Sequence, residues 1–132
     1  MSLLHRPEKV AEAQRRERAH AETARLGEIA LEGVEPIGDV RWRRRVKVAG
    51  RVQALRVQPW AEVASLEITV GDGTGALTAV FLGRRRISGI TLGTRLALDG
   101  MVTDVRGRLA IMNPAYQLLP ARLPLPDRAA AH

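Results

Sequence analysis

The 132-residue sequence contains no cysteine, which excludes disulfide bonds and thiolate metal sites and suits a reducing cytoplasm, the location expected here. Aromatic residues are nearly absent, with two Trp, one Tyr and one Phe, so little is available for a surface of stacked rings. His5, His20 and His132 are scattered, without metal-ligand spacing inside an ordered element, and no metal site is expected. No run of eighteen apolar residues occurs that would span a membrane. The start, MSLLHRPEKV, turns charged after four residues and has neither the apolar core nor the cleavage site of a secretory signal. No Ser–His–Asp set or converging carboxylate pair emerges, since Asp72, Asp99 and Asp104 fall at turns or beside glycine bends. The expectation is a protein that is not an enzyme and has no cofactor.

What is present is a soluble globular profile, 45% apolar and 27% charged, with a length that suits one domain. The net charge of +7 is unevenly placed. Residues 1–33 carry six basic and six acidic side chains, whereas the remainder carries fifteen basic and eight acidic ones. A basic domain behind a neutral arm suggests a polyanionic partner such as nucleic acid. Nineteen of the 21 basic residues are arginine, however, as a GC-rich coding sequence would give without selection for binding, so composition leaves both readings open.

Residues 8–32 are strong helix formers with opposite charges three and four apart, as in Glu12/Arg16 and Glu22/Arg25. The apolar side of this helix is mostly alanine until Leu26 and Ile29, so the arm is expected to bury little. From Arg43 the period changes to two. Val46, Val48, Gly50, Val52 and Ala54 share one face of a strand, and Arg45, Lys47, Ala49, Arg51 and Gln53 the other, with Gly50 marking a bend or bulge. A loop, RVQPWAEV, is expected next, with Pro59 as breaker. SLEITV and LTAVFL follow as strands joined by the turn GDGTG, a hairpin turn rather than a phosphate loop because it lacks the Lys-Ser/Thr of one. A short link carries Arg84, Arg85 and Arg86. The fourth strand, TRLALDGMVTDV, and the fifth, RLAIMNPAY, meet at Arg106–Gly107, and Pro114 is expected to stop the fifth. Val48, Val52, Ile68, Phe81, Leu98 and Ile111 should share one core. Trp42 falls on the inward phase and should cap the core or the helix. The chain thus divides into a helical arm (1–36), an all-β domain (37–119) and a proline-rich flexible tail (120–132).

Five strands in this order, with a long kinked first strand and a link after the third, match a five-stranded Greek-key OB barrel better than an SH3-like one. The series VKVAGRV, LEITVGDGTGALTAVF, LGTRLALDGMV and GRLAIMNPAY resembles the OB-fold family of nucleic-acid-binding modules. That family includes anticodon-binding domains of class II tRNA synthetases and the wedge domain of RecG-type branch-migration helicases. The resemblance covers residues 43–118 and does not extend to catalysis. It implies a ligand across strands two and three, flanked by Arg56, Gln58 and Trp60 on one side and Asp104, Arg106 and Arg108 on the other. The outward sheet positions, Glu67, Thr69, Thr78 and Val80, lack aromatic rings, which favours contacts to the phosphate backbone over stacking.

The expected nucleic-acid surface is therefore Arg43, Arg45, Lys47 and Arg51 on the first strand, with Arg56, Trp60, Arg84, Arg85, Arg106 and Arg108 extending it. Single-stranded DNA or RNA is the expected ligand, and a protein partner through the N-terminal helix is possible. The competing reading is an interaction module docked on a larger machine, with the basic face merely solvated. Trp60 fits either a base stack or a plug at the barrel's end.

Overall fold

The alternation that begins at Arg45 builds a single long strand around which the rest of the chain closes. The computed structural model describes residues 7–105 and 107–121. Its elements are α1 (Pro7–Ala30), a 3-10 turn (Ile37–Asp39), β1 (Arg45–Trp60), β2 (Val63–Gly71), β3 (Ala76–Leu82), β4 (Arg95–Val105), β5 (Arg108–Met112) and β6 (Ala115–Leu118). The first half of β1 pairs antiparallel with β4, from Arg45↔Met101 to Arg51↔Arg95, and the second half with β2. The β2–β3 hairpin, a parallel β3–β5 pairing and the β4–β5 hairpin complete the circuit. The result is the expected five-stranded Greek-key barrel with an N-terminal helix.

The strand phases place the core. Val48, Val52, Ile68, Phe81, Leu98 and Ile111 belong to one buried cluster, joined by Ile87 and Ile90 from the turns of the 83–94 link. Gly50 sits where β1 passes from one partner to the other; a Cβ there would lie 2.6 Å from the Gly71 carbonyl oxygen. Only glycine allows that approach. The register shift itself lies at Gln53, between Val52 and Ala54. This bulge reverses the facing of the residues beyond it, so Ala54, expected inward, is exposed, and Leu55 packs against the core instead.

The loop expected at RVQPWAEV is a hairpin. β1 and β2 pair to Trp60↔Val63 around a two-residue turn in which Ala61 (φ 48°) and Glu62 (φ 67°) both take positive φ. That is the type I′ geometry whose twist suits a hairpin. The pair flanking such a turn is hydrogen-bonded, so at Pro59, one step back, the missing N–H would have pointed away from β2. Proline costs no ladder bond there. The fifth strand does end at Met112, just before Pro114 as expected, but a further short strand follows the proline. Asn113 (φ 48°) forms a bulge whose N–H donates to the Val80 carbonyl (2.7 Å) and whose Oδ1 accepts from the Leu82 N–H (2.9 Å). The chain then rejoins β4 as β6, from Asp99↔Ala115 to Leu96↔Leu118.

The GDGTG turn also holds the 3-10 turn in place. Asp72 Oδ2 accepts from the Ile37 N–H (3.0 Å), and its Oδ1 accepts from the Thr74 N–H (2.9 Å) and hydroxyl (2.6 Å). Thr74 Oγ1 in turn accepts from the Gly38 N–H (3.0 Å), and this fixes Ile37 and Val40 in the core. Burial pushes the Asp72 carboxyl up, but these donors together outweigh it and hold it below the ordinary carboxylate value. A group with a depressed folded value contributes stability that is fully present above its unfolded pKa and is lost as pH falls through the folded one. Asp72→Ala should cost about 1–3 kcal/mol in urea unfolding at neutral pH, the usual range for donors left without a partner. That difference from wild type should shrink on acidification; a variant as stable as wild type at neutral pH would show that the clamp contributes nothing.

α1 is exposed along most of its length, and among the described residues no helix is long and apolar enough to cross a membrane. Its C-terminal end is nevertheless tied in. Ala30, with Leu31 and Val34, packs over Ala49, Ala97 and Leu119 on the outside of the barrel. Ala49, expected on the solvated face of β1, is therefore buried. The residues of the expected tail beyond Ala121 lie outside the described residues.

Candidate nucleic-acid interface

Past the Gln53 bulge, Arg56 faces outward from β1 with Glu67 directly opposite on β2. Beside them on the same outer face run Thr78 on β3, Ala110 and Arg108 on β5, and Val105 on β4. Together with Trp60 these residues line a cavity of about 150 Å³. A neighbouring depression of about 220 Å³ continues along Ala54, Thr69 and Arg108. The groove thus has small and apolar groups on its floor and two guanidinium groups and an indole on its walls.

Glu67 organises one wall. It was expected to be an open position on the sheet, yet it is only 6% exposed. Its Oε1 accepts from Arg56 Nη2 (2.9 Å) and Nε (3.1 Å), and its Oε2 accepts from Trp60 Nε1 (3.3 Å). Both carboxylate oxygens are therefore used, and the arginine and the indole are held in fixed relation. Val80, another expected open position, is fully buried, while Thr69 and Thr78 remain half-exposed.

The structure gathers Arg56, Trp60 and Arg108 into this groove. Arg106 lies outside the described residues. The other expected site residues lie elsewhere. Arg43 is exposed just before β1 with a positive φ of 62°. Arg45 pairs with Asp99 at 3.1 Å, and Lys47 is half-buried in a depression it shares with Ala30, Asp99 and Tyr116. Arg51 stands opposite Arg95, and Arg84 and Arg85 are exposed in the 83–94 link. The cationic face of β1 is thus interrupted at Ala49 by the end of α1. Trp42, expected to cap the core or the helix, is 54% exposed and belongs to neither buried cluster. Sequence reasoning missed the role of Glu67, whose only signal is an acid directly across from an arginine once the hairpin register is known. Among the described residues, no three His, Asp or Glu side chains converge as a metal site.

A closed Greek-key barrel with an open groove across β2, β3 and β5 is an OB fold. No protein-family model and no curated protein matches the chain. Among solved structures it is similar to the OB domain of Ta0387 from Thermoplasma acidophilum, with a TM-score of 0.57 at 15% identity over 75% of this chain and 98% of that one. At that identity the likeness establishes the fold. The replication factor A related protein from Methanobacterium thermoautotrophicum gives a TM-score of 0.49 at 18% identity over 67% of this chain and 92% of that one. A chain of the S. pombe Stn1–Ten1 complex gives 0.47 at 18% identity, covering 58% of each chain.

Proposed function

We propose that this OB barrel is a non-enzymatic module that binds single-stranded DNA or RNA in the groove between Arg56, Trp60 and Arg108, chiefly through its phosphates. The observation that carries the reading is the convergence of two guanidinium groups and an indole on one open face. Arg56 is 53% exposed and has donors left after its bonds to Glu67, so it can meet a phosphate while already held in place. The Glu67 carboxylate repels phosphate from the groove floor. The backbone would therefore follow the rims, with a base directed to the cavity beside Trp60. Arg43, Arg45, Lys47, Arg51, Arg84 and Arg85 would extend the positive surface for a longer strand. The setting that suits a cysteine-free chain is the cytoplasm. A second reading, docking on a protein partner, draws on the exposed Val57, Val63 and Leu82 of the β1–β2 hairpin and its neighbour strand, and on the solvated length of α1.

Binding to single- and double-stranded DNA and RNA, titrated against salt, separates the two readings. With about four phosphates neutralised on a single strand, log K should fall against log salt with a slope near −3. Arg108→Gln removes one contact and should make the slope shallower by about 0.7 while leaving melting unchanged. Failure of all four ligands to bind at low salt would remove the nucleic-acid reading and leave the protein partner.

A further inference from the structure

The outer face of the groove continues past Val105. Along β4 the outward positions run Val105, Thr103 and Met101, and Met101 stands directly across from Arg45 on β1. Just before β1 the chain is zipped onto this edge of β4: the Arg43 N–H donates to the Val102 carbonyl (2.9 Å), and the Val102 N–H donates to the Arg44 carbonyl (3.0 Å). Trp42 is thereby anchored through its neighbours, yet it is 54% exposed, and Met101 on the same edge of β4 is 55% exposed. Of the arginines around it, Arg44 pairs with Glu35 and Arg45 with Asp99. Among the described residues no carboxylate pairs with Arg41 or Arg43. An open indole between two uncompensated guanidinium groups does nothing for the core. It has the composition of a platform for a base with phosphates on either side.

We propose that Trp42, Arg41 and Arg43 form a second contact site, on which a single-stranded nucleic acid leaving the groove over Val105 and Met101 stacks a base and sets its phosphates. This rests on the groove reading above. Four residues of β4 separate Val105 from Met101, roughly 13 Å, and one strand spacing of about 5 Å leads on to β1. Together these make about 18 Å, or about five nucleotides at the roughly 3.4 Å per phosphate of a stacked strand, within the roughly 4–16 nucleotides that one OB barrel engages.

Because the chain has only two tryptophans, each can be made the sole reporter. Oligothymidylate and oligouridylate of about 4 and about 12 nucleotides, the two ends of that site-size range, serve as probes. In Trp42→Phe both lengths should quench Trp60. In Trp60→Phe only the longer oligomer should quench Trp42. Trp42→Ala should weaken the longer oligomer about 5- to 150-fold, the value of one lost base stack, and leave the shorter one unchanged. Arg41→Gln with Arg43→Gln should make the salt slope of the longer oligomer shallower by about 1.4. If Trp60 is quenched but Trp42→Ala binds both lengths as wild type does, the second contact is wrong and the groove stands. If neither oligomer binds the wild-type protein, the groove reading fails and this one with it.

Discussion

Phe81→Ala is expected to lower the stability of the barrel by about 3–5 kcal/mol, a large share of what a single small domain holds in reserve. Phe81 lies near the end of β3, opposite Leu66 on β2, and its side chain belongs to the main buried cluster. Its ring also meets Tyr116 of β6 edge-on, with centroids 5.7 Å apart and planes at 86°. Truncation therefore removes a large apolar group from the core and the aromatic contact that ties β6 to β3. The neighbouring strands are closed into a ring and cannot collapse freely into the space. Urea unfolding followed by circular dichroism measures the loss, and Phe81→Leu should recover most of it because volume is largely kept. A Phe81→Ala variant with wild-type stability would mean that the inward phase of β3 is misassigned.

That phase was legible in the sequence because a period of two with one buried face leaves little choice of register. The same logic placed Val48, Ile68, Leu98 and Ile111 correctly, and GDGTG announced its turn through its glycines. The β1–β2 hairpin was not legible. Its turn, Ala61–Glu62, contains none of the glycine or asparagine that normally marks a type I′ turn, and Pro59 reads as a breaker wherever the unpaired edge of the strand is unknown. Missing the hairpin hid the register, and the register is what sets Arg56 opposite Glu67. The resemblance to OB modules did place Arg56, Trp60 and Arg108 at the groove. It could not tell that Glu67, expected as an open sheet position, is buried and binds Arg56 and Trp60, nor that the arginines of RWRRRVKVAGR face a stretch of barrel partly covered by α1. Trp42 was misjudged for a different reason: its positional phase is inward, but the chain at Arg43 has a positive φ, and an alternation read across such a kink no longer holds.

The arginine–glutamate pair yields the second large effect. Arg56→Met should destabilise the protein strongly, by up to about 3–5 kcal/mol, because it leaves the nearly buried Glu67 carboxylate without its cation. Trp60 Nε1 would still donate to Oε2, at 3.3 Å, but a single neutral donor does not balance a desolvated charge. Glu67→Leu alone should cost less. Arg56, being half-exposed, returns to water, and the leucine rests against the apolar side of the cavity. The double variant, Arg56→Met with Glu67→Leu, should recover most of what Arg56→Met loses, since replacing both partners of such a pair by apolar groups of similar size is often neutral. Melting of the four proteins of this cycle checks it, and additive losses would show that the two side chains do not act as a pair. The same cycle bears on binding. The double variant keeps the fold while removing one groove cation and the carboxylate that opposes phosphate, so its salt slope should become shallower by about 0.7. Glu67→Leu alone, with the cation kept and the repulsion gone, should bind single strands more tightly than wild type unless the freed Arg56 and Trp60 lose their alignment. Tighter binding would mean that Glu67 mainly repels the strand, and weaker binding that it mainly holds the two groups in position to receive it.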